Sequence, residues 1–157
     1  MPEEPISRVD AGRLMAKVYA LVRACPVGRV TTYGAIGAAL GYPRGARMIG
    51  WIMNESPRGL SVPAQRVVSA KGVLTGSWAF GQRGRMRQLL EGEGVTFDDE
   101  GAVEMKRYAW DPRRDLTEAE LAEVISGASS APVEASDNLM RMLHDDPASP
   151  FRVTGAE

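Results

Sequence analysis

Apolar residues in the first part of the chain recur at helical spacing. Leu14, Val18, Leu21 and Cys25 fall four, three and four residues apart, with Arg13, Lys17 and Arg23 off that stripe. Asp10 is a suitable N-cap and Pro26 a stop, which predicts a helix from Asp10 to about Cys25. Cys25 lies on the apolar stripe and reads as a small core residue. After the short connection Val27 to Val30, Thr31 or Thr32 caps a second helix, Tyr33 to Leu40. Gly41-Tyr42-Pro43 breaks it, and a third helix runs from near Arg44 to about Met53. Two short helices joined by a glycine-containing turn match a helix-turn-helix.

Asn54 to Pro63 is a loop rich in Pro, Gly and Ser. Val67-Val68-Ser69 and Val73-Leu74-Thr75 flank Ala70-Lys71-Gly72, the pattern of a tight β-hairpin, and such a hairpin after a helix-turn-helix is a wing. Gln82 to Glu91 predicts a further helix carrying Arg83, Arg85 and Arg87, and Val95 to Tyr108 mixes extended and turn signals. Leu116 to Ile125 predicts a helix capped at Thr117, Ser126 to Asp137 reads as a linker, and Asn138 to His144 as a last helical turn or two. The expected fold is mainly α with a small β-hairpin wing, a winged helix-turn-helix over residues 10–110. Residues 111–157 are expected as an acidic extension, partly helical or disordered.

Composition changes this picture in one respect. The 157 residues are 44% hydrophobic and 25% charged, the range of a globular chain. The net charge of −1 hides an asymmetry. Residues 1–114 hold 17 Lys/Arg against 11 Asp/Glu, a balance of +6, and residues 115–157 hold 2 against 9, a balance of −7. A basic body suits a polyanion, and it equally suits a solvated surface with an unrelated tail. A single cysteine excludes an internal disulfide and makes a reducing cytoplasm the expected compartment. With only one histidine besides, there is no Cys/His set for zinc. No apolar run approaches the roughly 20 residues of a membrane span, and Met1 to Asp10 has no apolar signal core.

Four segments occur in order: Val30-Thr31-Thr32-Tyr33-Gly34, Gly45-Ala46-Arg47-Met48-Ile49-Gly50, Val62-Pro63-Ala64-Gln65-Arg66-Val67-Val68, and Leu89-Leu90-Glu91-Gly92-Glu93-Gly94. Together, from roughly Val18 to Phe97, they resemble the DNA-binding domain of the O6-alkylguanine-DNA alkyltransferases. In that family a helix-turn-helix enters the minor groove, an arginine fills the hole left by a flipped guanine, and a cysteine in a Pro-Cys-His-Arg-Val motif takes the alkyl group. This chain has Pro63-Ala64-Gln65-Arg66-Val67 there. Ala64 replaces the nucleophile and Gln65 the activating histidine, and alkyl transfer needs both a thiolate and a base. The departure resembles the alkyltransferase-like proteins, which bind alkylated guanine, do not repair it, and pass the lesion to nucleotide excision repair.

The resemblance implies a role for each matched position. Arg47 is the base-replacing finger. The small Gly45, Ala46 and Gly50 let the helix approach the groove, and Met48 is an apolar wedge against the bases. Thr32 and the first amides of its helix hold a phosphate. Tyr33, Ala64, Val67 and Trp78 (within Ser77-Trp78-Ala79) line the lesion pocket, Arg66 is structural or faces a phosphate, and Glu93 braces the pocket. Trp51, larger than the family pattern, reads as core packing.

The function so implied is a monomeric, non-enzymatic sensor of O6-alkylguanine in double-stranded DNA, with no cofactor, no metal and no membrane, flagging lesions for repair proteins. Two alternatives stand beside it. One is an alkyltransferase using Cys25, the only thiol; the other is a winged-helix transcription regulator, whose Gly/Ala-rich recognition helix offers few base-reading side chains.

Overall fold

A computed structural model of the chain describes residues 5–55, 62–74, 84–128 and 133–152. Helix α1 spans Arg8–Ala24. Its cap is Ser7 rather than the expected Asp10: the Ser7 hydroxyl accepts the Asp10 N–H at 3.0 Å. Asp10 sits in the first turn, where a carboxylate suits the positive end of the helix dipole. Strand β1 (Thr31–Thr32) leads directly into α2 (Tyr33–Ala39), capped by Thr32, whose Oγ1 accepts the Ala35 N–H at 3.0 Å.

Helix α3 spans Ala46–Asn54, starting two residues later than the sequence pattern predicts. The Gly45 N–H donates to the Tyr42 carbonyl at 2.9 Å, so residues 42–45 form the turn between the helices. Gly45 is buried, and a Cβ there would stand 2.9 Å from Tyr42 Cβ and 3.0 Å from its carbonyl oxygen. The turn therefore closes only on glycine.

Strand β2 (Val67–Val68) pairs in parallel with β1, Thr31 opposite Val67 and Thr32 opposite Val68. This corrects the expected hairpin, because among the described residues the only two-stranded ladder is this parallel one. Of the hairpin, the turn survives: Ser69 N–H donates to Val73 O at 3.1 Å and Gly72 takes φ +81°. The turn is also tied to a later part of the chain. Val103 N–H donates to Gly72 O at 3.0 Å, which holds it against the following segment.

Strand alternation sends neighbouring side chains to opposite faces. Val67 joins a first core with α1, α2 and α3, while Val68 joins a second with Val30, Met86, Leu90, Val95 and Val103. Helix α4 (Arg85–Gly92) supplies Met86 and Leu90, and α5 (Met105–Tyr108) supplies Tyr108. Helix α6 (Pro112–Asp115) follows.

The remaining chain folds back onto α1 and α3. Helix α7 (Glu118–Ala128) packs on α1 and opens with a capping box: Thr117 Oγ1 accepts Glu120 N–H at 3.0 Å and Glu120 accepts Thr117 N–H at 2.9 Å. Helix α8 (Asp137–Asp145) is capped by Ser136 and buries Leu139, Met140 and Leu143 in the first core with Ala135. The approach before α8 is so close that a Cβ on Gly12 of α1 would lie 2.0 Å from the Val133 carbonyl oxygen. Among the described residues no helix is long and apolar enough to cross a membrane.

Gly12→Ala separates packing from propensity. Alanine favours an exposed helix interior by about 1 kcal/mol over glycine. Here the clash with Val133 should win, and the urea midpoint should fall; a raised midpoint would mean that residues 133–145 do not rest on α1.

Candidate nucleic-acid interface

Helix α3 has two faces. Met48, Ile49, Ile52 and Met53 are buried, the stripe of a helix seated on a core. On the other side lie Arg47, Gly50, Trp51 and Asn54, spaced three, one and three apart. Arg47 and Asn54 are exposed, Gly50 and Trp51 half-buried, and Trp51 packs partly on the core as expected. Arg47 and Ala46 occupy the first turn of the helix, and Arg47 makes no hydrogen bond or ion pair among the described residues. A cation at the tip of a short helix with small neighbours can enter a groove without first breaking a contact.

Two expected contacts move inward. Met48 is wholly buried in the core and cannot wedge between bases. The helical register decides this, since Met48 precedes Ile49 and lies one turn from Ile52. Gly45 is buried in the turn, so its missing side chain serves the fold rather than an approach to a groove. Asn54 was not anticipated, because the sequence pattern ends the helix at Met53. The seven-residue interval from Arg47, two helical turns, is the signal that places it on the exposed face.

Beside α3 stands Tyr33, the first residue of α2, half-buried against the core. A Cβ on Gly50 would come 4.0 Å from its Cδ1, so the ring lies alongside the face of α3 that carries Gly50. Thr32, expected to hold a phosphate, has its hydroxyl engaged as the cap of α2. Val67, a predicted pocket wall, is buried in β2. Trp78, with Ser77 and Ala79, lies outside the described residues.

Ala64 opens a 3-10 turn, Ala64–Arg66, and is half-buried against the first core. The turn is tied down by Glu93, the C-cap of α4. One carboxylate accepts three donors: Gly28 N–H at 3.0 Å, Gln65 Nε2 at 2.8 Å and Arg66 Nε at 2.9 Å. The Arg66 and Glu93 side chains are each only 12% exposed. Arg66 also donates to the Cys25 carbonyl at 3.0 Å, so its guanidinium is engaged inward. Burial pushes the Glu93 carboxyl up, but the bonds from Arg66, Gly28 and Gln65 outweigh it and hold the group below the ordinary carboxylate range.

Cys25, the only thiol of the chain, is wholly buried. Its sulfur lies 3.6 Å from the Arg29 carbonyl, and burial pushes its pKa up to about 12. A thiol in that state carries almost no thiolate at neutral pH. Among the described residues no group of three or more His, Cys, Asp or Glu could hold a metal ion.

With this geometry in hand, comparisons give a common answer. A family model described as the 6-O-methylguanine DNA methyltransferase DNA-binding domain matches residues 13–95. A DNA base-flipping protein of Escherichia coli strain K12 is 35% identical over 108 residues, covering 69% of this chain and 81% of that protein. Alkyltransferase-like protein 1 of Schizosaccharomyces pombe is 33% identical over 100 residues, covering 61% and 93%. Among solved structures, S. pombe Atl1 in complex with damaged DNA containing O6-carboxymethylguanine superposes with a TM-score of 0.55 at 31% identity, over 63% of this chain and 95% of that one.

The Glu93 node sets an acid dependence. A carboxyl held low in the folded state contributes stability that is present above its unfolded value, about 4.3, and is lost as pH falls through the folded value. Glu93→Gln should leave Arg66 buried without a counter-charge, costing on the order of 3 kcal/mol at neutral pH. It should also flatten the decline of stability below about pH 4. Urea titrations of both forms across that range would show it, and parallel curves would deny Glu93 the role.

Proposed function

This chain belongs to the family of the 6-O-methylguanine DNA methyltransferase DNA-binding domain, and from that membership we propose that it is a non-catalytic sensor of O6-alkylguanine in duplex DNA. The observation that carries the reading is the turn at Ala64. Glu93 braces it through Gln65 and Arg66, yet the residue it positions bears only a methyl group. A recognition helix, an uncommitted arginine and a braced pocket wall remain; the nucleophile and its base do not.

The residues divide the work as follows. Helix α3 docks in the minor groove on the face of Ala46, Arg47, Gly50 and Asn54. Arg47 enters the duplex and its planar cation takes the place of the base that leaves, offsetting the few kcal/mol of unstacking. Tyr33 and Ala64 receive the flipped base, and Val67 backs Ala64 from within the core. Ala64 occupies less room than a cysteine and leaves space for alkyl groups larger than methyl. No atom is transferred, so the bound lesion remains as a mark for nucleotide excision repair. The family relationship supports this reading. The relatives named as a DNA base-flipping protein and an alkyltransferase-like protein, and the relative solved with O6-carboxymethylguanine DNA, support it further.

The test is a binding titration with duplexes that differ only in one O6-methylguanine. Preference for the modified duplex is expected, and equal affinity would overturn the proposal. Arg47→Ala should abolish the preference while leaving much of the non-specific binding. Ala64→Cys should gain no alkyl group on incubation with the modified duplex, as read by intact mass, because Gln65 supplies no base; a stoichiometric mass increase would show that the rest of the catalytic machinery is intact.

A further inference from the structure

The last described residues reach the helix-turn-helix from outside the part of the chain that the family model covers. The Phe151 ring meets Tyr42 of the turn edge-on, with centroids 5.3 Å apart and planes at 61°. Ala148, Ser149 and Pro150 line one side of a cleft whose other side is residues 41–45. This segment has a fixed shape. The buried Ser149 hydroxyl donates to the Leu143 carbonyl at 2.6 Å and accepts the Phe151 N–H at 3.1 Å. Arg152 N–H closes the turn on Ser149 O at 3.2 Å. Behind it, Asp146 takes the Ala148 N–H on its carboxylate at 2.8 Å.

Charge along this strap runs against the composition of the tail. From Ala148 to Arg152 the only ionic side chain is Arg152. It is exposed, and its guanidinium makes no hydrogen bond or ion pair among the described residues. Arg44, two residues after Tyr42, is exposed and unengaged in the same way, and Arg47 follows. The aromatic contact thus brings the backbone that carries Arg152 to the turn of the helix-turn-helix, a third arginine without a partner among the described residues. Three of the nine acidic residues of the tail, Glu118, Glu120 and Glu123, are on α7, which packs on α1, while Asp145 and Asp146 precede the strap, Asp146 with its carboxylate turned onto the Ala148 N–H.

We infer that this strap is part of the DNA interface: Phe151 anchored on Tyr42 holds Arg152 beside Arg44 as an additional phosphate-binding cation. The inference rests on the reading that the helix-turn-helix docks on DNA, and it concerns backbone affinity rather than lesion choice. A phosphate contact carries no information about the base, so its loss weakens all duplexes alike and reduces the salt dependence.

The experiment is a salt series of anisotropy titrations of the full chain with unmodified and O6-methylguanine duplexes. Arg152→Ala should lower affinity for both by the same factor and reduce the slope of log K against log salt by about 0.9. From a 1 M reference to 0.1 M salt that slope corresponds to a loss of about eightfold. Arg152→Lys should restore most of it, and Phe151→Ala should repeat the uniform loss. An unchanged slope with Arg152→Ala overturns the inference even if Phe151→Ala weakens binding, since packing alone would then explain the second variant. A rise in affinity overturns it in the opposite sense, as a strap that competes with DNA. If the wild type prefers the modified duplex and Arg152→Ala does not alter affinity, only this inference falls; if the wild type binds neither duplex, the functional reading falls with it.

Discussion

A single largely enclosed carboxylate holds together parts of the chain that are far apart in sequence. Glu93 joins the turn after α1, at Gly28, to the 3-10 turn at Gln65 and Arg66 and to the end of α4. Three donors converge on two oxygens, and the charge of Arg66 is matched where water reaches poorly. Such a pair adds little net stability over an apolar packing of the same volume, but each half depends strongly on the other. What it gives is position: Ala64 begins the turn whose next two residues are fixed. A backbone held by its own bonds keeps its shape whatever side chain position 64 carries.

The two cores divide the labour around that node. The first seats α3 through Met48, Ile49, Ile52 and Met53, and the second seats α4 and the segment that carries Glu93. They meet at β1 and β2, a ladder of two residues per strand whose alternation sends Val67 one way and Val68 the other. Helix α3 and the turn at Ala64 are therefore referred to the same short piece of sheet.

Much of this was legible in the sequence, and the failures have physical causes. Gly41 to Gly45 marks the turn because glycine and proline restrict backbone in ways that read locally. Thr32 was readable as a cap for the same reason. Met48 was misread because two patterns overlap on α3. The motif around Arg47 points to a groove, while the spacing of apolar side chains points the same residue inward, and burial prevails. Arg66 could be read either way until its partner was located, since Glu93 lies 27 residues on. The parallel pairing was not legible because strand pairing is a long-range choice: Val67 and Val68 find Thr31 and Thr32, 36 positions earlier. In the acidic tail, charge obscured a short apolar stripe, Leu139, Met140 and Leu143, that belongs to the main core.

That shared core governs the order in which the molecule can assemble. His144 meets the Ile6 carbonyl across 138 positions, and Arg8 reaches the Ala135 carbonyl across 127. Contacts so distant along the chain close large loops, which slows folding relative to helical proteins of local topology. On the ribosome, α1, α2 and α3 emerge well before α8, with part of their apolar surface still lacking its cover. The cover of the first core is then a late product, completed only after Ala135 to Leu143 have been synthesised, and until then the apolar surface they cover stays open to non-specific contact.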